Sequence, residues 1–261
     1  MYFYSNMSWI VNKIINQFTF HPHNKVTEDK VDMPEYATEK WITTKDGEKL
    51  QAYYFKHPFK KLPLIIYFHG NTGNLYSHNR MEYVNRLYQM NFNVLIVSYR
   101  GYSKSTGTPS EKGIYLDGIS TAIYAKNTLN YKESDIIILG RSLGSVVAVH
   151  VAKKRNYRGL ILITPLSSGK DMAGVFGFKW INFLANNVFK SVFKIKKVKC
   201  KKLIIAGDND KQTPIEMAIK LYQAALQPKK IVIINGGGHN NLQYVNPDIF
   251  WGEIKRFLND D

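Results

Sequence analysis

Residues 135–152 read DIIILGRSLGSVVAVHVA, and within them Ser142 stands between Gly140 and Gly144. The apolar run before the serine suits a strand, and the uninterrupted pattern after it suits a helix. A sharp strand-to-helix turn lifts a hydroxyl clear of a sheet, and small residues two places on either side let backbone pack around it. The chemistry this favours is nucleophilic attack. The plain alternative is a serine that caps the helix. G-x-S-x-G alone carries little weight; its place at a strand–helix joint is what makes it informative.

A serine hydroxyl needs a base within hydrogen-bond reach. Of the seven histidines, His21, His23 and His57 lie in the N-terminal region or a loop, His78 opens a predicted helix, and His150 falls inside the helix after Ser142. His239 alone follows the last apolar run, in a glycine-rich loop, GGGHNN, able to carry it across strand ends. The base in turn needs an acid to fix its tautomer and stabilise the imidazolium. The turn GDNDKQTP offers Asp208 and Asp210, one to orient the histidine and the other to cap or solvate the turn. Attack on a carbonyl also needs donors for the developing oxyanion. The Leu143 amide at the helix start is one, and the loop HGNTG (69–73) supplies a second, best assigned to Asn71. His69 reads as a residue that packs or fixes that loop.

These groups need a frame to hold them together. WITTKDGEKLQAYYF (41–55) has Asp46-Gly47 between two alternating runs, a β-hairpin signal. Six further runs, near 62–68, 93–99, 135–140, 159–165, 202–207 and 231–235, are apolar on successive residues, as strands covered on both faces are. Between most of them, 77–91, 111–130, 143–156 and 214–226 are long enough for crossover helices. A hairpin followed by repeated strand–helix units predicts an α/β sandwich with a mostly parallel sheet. In such sheets functional groups gather beyond the carboxyl ends of the strands, which is where all of the residues above fall. Residues 166–201 break the rhythm. They are dense in aromatics and lysines and read as a short lid-like insertion or a long amphipathic crossover, with Phe176, Phe178, Trp180 and Phe183 as candidate acyl-pocket residues.

The chain has 261 residues, 44% of them hydrophobic, enough for one substantial core. A single cysteine, Cys200, rules out an intrachain disulfide and argues against a secreted disulfide scaffold. The formal net charge of +16 favours anionic partners, but no nucleic-acid-binding motif accompanies it, and nucleic acid is not expected as a partner. The first 20 residues are apolar and aromatic yet too interrupted by polar residues to span a bilayer. They also lack the basic start and cleavage site of a signal peptide. Trp9, Ile10, Ile14 and Phe18 approach helical spacing, suiting either an interfacial helix or docking on the protein's own core. Cytoplasmic residence is expected, with residues 1–20 a candidate for peripheral membrane contact.

The segments HGNTGN, YRGYSKSTGTPSEKGIYLD, GRSLGS, TPLSSGKDMA, GDNDKQTP and GGGHNNL together resemble the α/β-hydrolase superfamily, and within it the Bem46-like serine hydrolases. The resemblance covers roughly 40–258, with 1–40 an N-terminal extension and 41–261 a hydrolase domain carrying the insertion 166–201. It implies the α/β-hydrolase fold, with helices on both faces of the sheet. It also implies a nucleophile at Ser142 and a base at His239. The family's acid lies three residues after the turn glycine and four before a proline, which carries onto Asp210, with Pro214 following. Ser98 and Ser103 depart from the family's usual aspartate and glycine, bearing on loop geometry rather than on the triad.

The expectation is therefore a serine hydrolase of carboxylic esters or thioesters that works through an acyl-enzyme, with no cofactor and no metal. Its substrate would be a small-molecule or lipid-like acyl ester. A depalmitoylase at an anionic membrane surface is the alternative, suggested by lysines around 190–202, and a non-catalytic binding protein on the same fold is a further one.

Overall fold

The computed structural model describes residues 16, 19–22, 32–58, 62–175 and 188–260. Among them, eight strands form the main sheet: β1 (Ala37–Thr43), β2 (Lys49–Phe55), β3 (Leu64–Phe68), β4 (Asn93–Val97), β5 (Ile136–Arg141), β6 (Gly159–Ile163), β7 (Lys201–Gly207) and β8 (Lys229–Ile234). Their spatial order is β8-β7-β6-β5-β3-β4-β2-β1. The β1–β2 hairpin is antiparallel, as is the β2–β4 pairing, and β3 to β8 run parallel. The order reverses at β3, which lies between β4 and β5, so a crevice opens beyond the carboxyl ends of β3 and β5.

The helices are α1 (His78–Gln89), α2 (Glu111–Asn127), α3 (Leu143–Ala152), α4 (Gly169–Val175), α5 (Ser191–Ile195), α6 (Ile215–Ala224), α7 (Leu242–Val245) and α8 (Pro247–Asn259). Apolar runs bury both faces of each central strand, and alternate residues feed two separate cores. Ile66, Phe68, Ile138 and Leu162 pack under α2, α3, α5 and α6. Ile65, Tyr67, Leu139 and Ile163 pack under α1 and α8. Each such fully buried side chain is worth about 1.5–3 kcal/mol relative to exposure. The four predicted crossover helices are present. The helix α8 has no counterpart among the predicted crossover helices, although Asn246 caps it by accepting the Ile249 amide and Pro247 opens it.

The YRG motif turns out to be structural. Arg100 donates to both Asp117 on α2 and Asp46 in the hairpin turn, tying the sheet edge to a helix. Asp117 is fully buried and burial raises its pKa to about 6, against the pull of Arg100. Ser103 adopts φ 50°, and its hydroxyl accepts the Leu75 amide at 3.0 Å. The left-handed residue at this point of the loop is thus held without glycine.

The hairpin strand begins at Ala37, and earlier residues also meet the fold. Phe20 is buried in the α2/α3 core, and His21–Pro22 pair in parallel with Thr72–Gly73. Trp9, Ile10, Ile14 and Phe18 lie outside the described residues, as do Phe176, Phe178, Trp180 and Phe183 of the insertion. No helix among the described residues is long and apolar enough to cross a membrane.

Candidate active site

Ser142 sits at the carboxyl end of β5 with φ 52° and ψ −122°, a conformation that costs a non-glycine residue about 1–3 kcal/mol. The surroundings hold it there. Its amide donates to Ile163 O at 2.9 Å and its carbonyl accepts from Ser145 N at 2.9 Å. The motif glycines exist because the turn is tight. A Cβ at Gly144 would lie 2.0 Å from the Phe68 carbonyl oxygen, and one at Gly140 would lie 2.4 Å from that of Gly144. Ser142 forms no side-chain cap to its own helix, so the capping alternative has no support.

The three residues expected to cooperate are brought together from three strand ends. Ser142 Oγ lies 2.9 Å from His239 Nε2, and His239 Nδ1 lies 2.8 Å from Asp210 Oδ2. With the ring proton on Nδ1 facing the carboxylate, Nε2 is free to accept from the serine hydroxyl. Asp210 accepts further bonds from the Gln212 and Thr213 amides and from Thr213 Oγ1. Burial would raise the pKa of Asp210, but the bonds from His239 and Thr213 outweigh it and hold the carboxyl below its usual range. Asp208, the other acid of the turn, accepts the Gly236 amide at 2.7 Å and so ties the β7 turn to the loop after β8.

The loop after β3 is held from behind by side chains. Tyr99 donates to His69 O, and Tyr102 and the His21 amide donate to Asn71 O. The Arg80 guanidinium donates to both Thr72 O and Asn74 O. Gly70 comes close to the serine, since a Cβ there would stand 3.6 Å from Ser142 Cβ. With the carbonyls of Asn71 and Thr72 drawn away, Asn71 and the first residue of α3, Leu143, are the candidates to present amides on the serine side. His69 is fully buried between Tyr99 and Tyr102 and bonds Gly70 O through Nδ1. Burial and then the Arg80 charge hold its pKa well below the usual histidine value, which suits a loop-fixing group.

Sequence reasoning missed Arg80, Thr213 and Arg141. Arg80 is 5% exposed and, among the described residues, has no carboxylate partner; burial lowers its pKa to about 10. Arg141, the variable residue beside the nucleophile, donates to His239 O and Asn240 Oδ1, latching the histidine loop to β5. Arg80 and Arg141 act on main chain or on a neighbouring side chain across tertiary contacts, which leave no spacing signal, whereas Thr213 bonds Asp210 three residues before it in the same turn and reaches His239 Nδ1 across the fold. Among the described residues, no cluster of three or more His, Cys, Asp or Glu is arranged to hold a metal ion.

Three comparisons bear on this arrangement. A family model described as serine aminopeptidase, S33 matches residues 60–202. The Mycobacterium tuberculosis (strain H37Rv) protein Rv2307c is 30% identical over 222 residues, spanning 84% of this chain and 78% of its own. Protein bem46 of Schizosaccharomyces pombe is 30% identical over 198 residues, 72% of this chain and 66% of its own. Among solved structures, the Pyrococcus furiosus esterase Pf2001 has the same fold, with a TM-score of 0.76 at 19% identity over 92% of this chain and 96% of that one. By fold, by sequence and by the order of its motifs, the chain belongs to the α/β-hydrolase family, in its Bem46-like branch.

Proposed function

We propose that the protein is a serine hydrolase cleaving carboxylic esters or thioesters through Ser142, His239 and Asp210. The observation that carries this reading is the continuous hydrogen-bonded line from Ser142 Oγ through the His239 ring to Asp210, at 2.9 and 2.8 Å, on a strained turn. His239 takes the hydroxyl proton as Ser142 Oγ bonds to the acyl carbon. The Asn71 and Leu143 amides receive the negative charge on the carbonyl oxygen. The imidazolium then gives its proton to the leaving alcohol or thiol, leaving an acyl-serine. Water attacks that acyl group as His239 accepts its proton, and the acyl–Oγ bond then breaks as the imidazolium returns the proton to Ser142, releasing the carboxylic acid. Asp210 stays ionised throughout and stabilises the imidazolium.

Arg80 serves this chemistry as a positioning residue. Its cation lies behind the loop of Asn71 and fixes two of that loop's carbonyls. The esterase title of the Pyrococcus neighbour describes that protein, and it supports the ester class only through the shared fold.

Burst kinetics test the reading. With p-nitrophenyl esters of rising chain length, rapid mixing should release about one nitrophenol per protein before the steady state, and acyl-coenzyme A substrates should show whether thioesters react as well. Folded protein that gives no burst and no turnover across both series would overturn the proposal. A maximum at short chains would favour a short-chain esterase, and a maximum at long-chain thioesters would favour the depalmitoylase alternative.

A further inference from the structure

The face formed by α5 and the carboxyl end of α3 carries charge that is mostly uncompensated among the described residues. Lys153 and Lys154 follow α3 directly, and α5 packs against that helix with Lys190, Lys194, Lys196 and Lys197 in and around it. Among the described residues, Lys194 alone of these has an acid near it, with Glu111 at 3.9 Å. Among the described residues none of the other five has a carboxylate within ion-pair distance. The lysines are close enough to feel one another. Burial first, and then the charges of Lys154 and Lys197, lower the pKa of Lys153. Burial likewise lowers that of Lys194 to about 8, with Lys153 and Lys190 adding to the effect against Glu111.

An apolar side chain stands in the middle of this charge. Phe193 is 65% exposed, and Lys196 Nζ lies 5.7 Å from its ring centroid. Beside the lysines a cleft of about 610 Å³ runs along α2, floored by Tyr115, Ile119 and Ile123 and edged by Lys154. The N-terminal segment joins the fold at the same corner. The Phe20 ring is 6.5 Å from that of Phe189, the residue before Lys190.

Crowded like charges raise the energy of a folded chain unless a surface of opposite sign approaches. Two such surfaces exist for a protein of this charge. A single-stranded nucleic acid calls for several aromatic platforms along a basic groove, whereas here one exposed ring projects from a convex helix. A bilayer calls for lysines at headgroup level and an aromatic that enters the acyl boundary, and that is the arrangement present.

We propose that α5 and the carboxyl end of α3 dock on an anionic phospholipid bilayer, with Phe193 inserted and the lysines facing lipid phosphates and carboxylates. This goes beyond the hydrolase reading and does not depend on it.

The test uses the full chain and vesicles of phosphatidylcholine with and without phosphatidylserine. Sedimentation should show binding that needs phosphatidylserine, weakens with salt, and falls about fivefold for each lysine replaced in Lys153→Gln, Lys154→Gln and Lys197→Gln. A Phe193→Cys variant carrying an environment-sensitive dye should shift its emission to the blue on those vesicles. The native Cys200 is buried, and burial pushes its thiol up to about 11, so labelling is directed to position 193. Equal binding to neutral vesicles, binding unaffected by the lysine variants, or an unshifted dye on bound protein would each overturn the proposal. So would DNA retention in a gel shift that these lysines control while vesicles go unbound. None of these readouts needs catalysis, so their failure is distinct from a failure of the hydrolase reading.

Discussion

Two regions of this molecule handle charge in opposite ways. Beyond the ends of β3, β5, β7 and β8, charged groups meet partners built into the fold: Asp210 has His239 and Thr213, Asp208 has the Gly236 amide, and Arg80 has two carbonyls of the loop after β3. On the α3–α5 face, five lysines stand near one another with no acid within ion-pair distance among the described residues. The contrast teaches what each region needs. Stabilising a charge that forms during a reaction requires dipoles fixed beforehand, so that nothing reorganises at the crucial moment. A surface that meets a partner of opposite charge gains by leaving its own charge unanswered.

The sharpest way to break the comparison is at the nucleophile. Ser142→Ala should lower ester turnover by about 10⁶-fold, while thermal unfolding shifts by only a few degrees, since no packing is lost. An Asp210→Asn variant should fold normally and lose about 10⁴-fold in kcat, because the amide cannot hold His239 in the required tautomer. Steady-state kinetics and circular dichroism on the same samples check both.

Arg80 separates positioning from chemistry. Arg80→Met should lower kcat by about 10–100-fold with KM within about twofold, less than the 10²–10³ expected for removing an oxyanion donor outright. Arg80→Lys, which keeps the charge but not the two-pronged donor, should recover part of that loss. Equal kcat in wild type, Arg80→Met and Arg80→Lys would remove Arg80 from the account.

Acid should test the basic face. Burial, and then Lys153, Lys194 and Lys154, lower the pKa of His150 to about 3. The unfolded chain therefore takes up this proton first, and the stability gained by keeping the ring neutral is complete above about pH 6.5 and lost as pH falls toward about 3. His150→Gln should flatten the fall in melting temperature over that range. The smallest effect belongs to the exposed lysines. Lys154→Gln should leave turnover of a soluble ester unchanged and stability within about 0.5 kcal/mol, so that any loss it causes appears only on vesicles.

How far the sequence reveals this depends on the kind of contact involved. Strands covered on both faces write themselves as unbroken apolar runs, so β3 to β8 are legible, and so is the rule that places Ser142, Asp210 and His239 at strand ends. The choice between Asp208 and Asp210 is not legible from the turn alone, because both fit it; the distance to His239 decides. Arg80 and Arg141 look like ordinary helix and motif residues, since their partners are main-chain atoms brought near by folding. The α8 helix had a readable signal in Asn246-Pro247 and the apolar spacing of Phe250, Trp251, Ile254 and Phe257. That signal lies past the last site residue, where a reading guided by chemistry stops.

The central claim is that Ser142 is an activated nucleophile, and a fluorophosphonate probe tests it most directly. Intact-mass spectrometry should show a single adduct on the wild type, mapped to the peptide containing Ser142, slowed strongly in His239→Gln and absent from Ser142→Ala. An adduct on another residue, or folded wild-type protein that takes up no probe, would contradict the account.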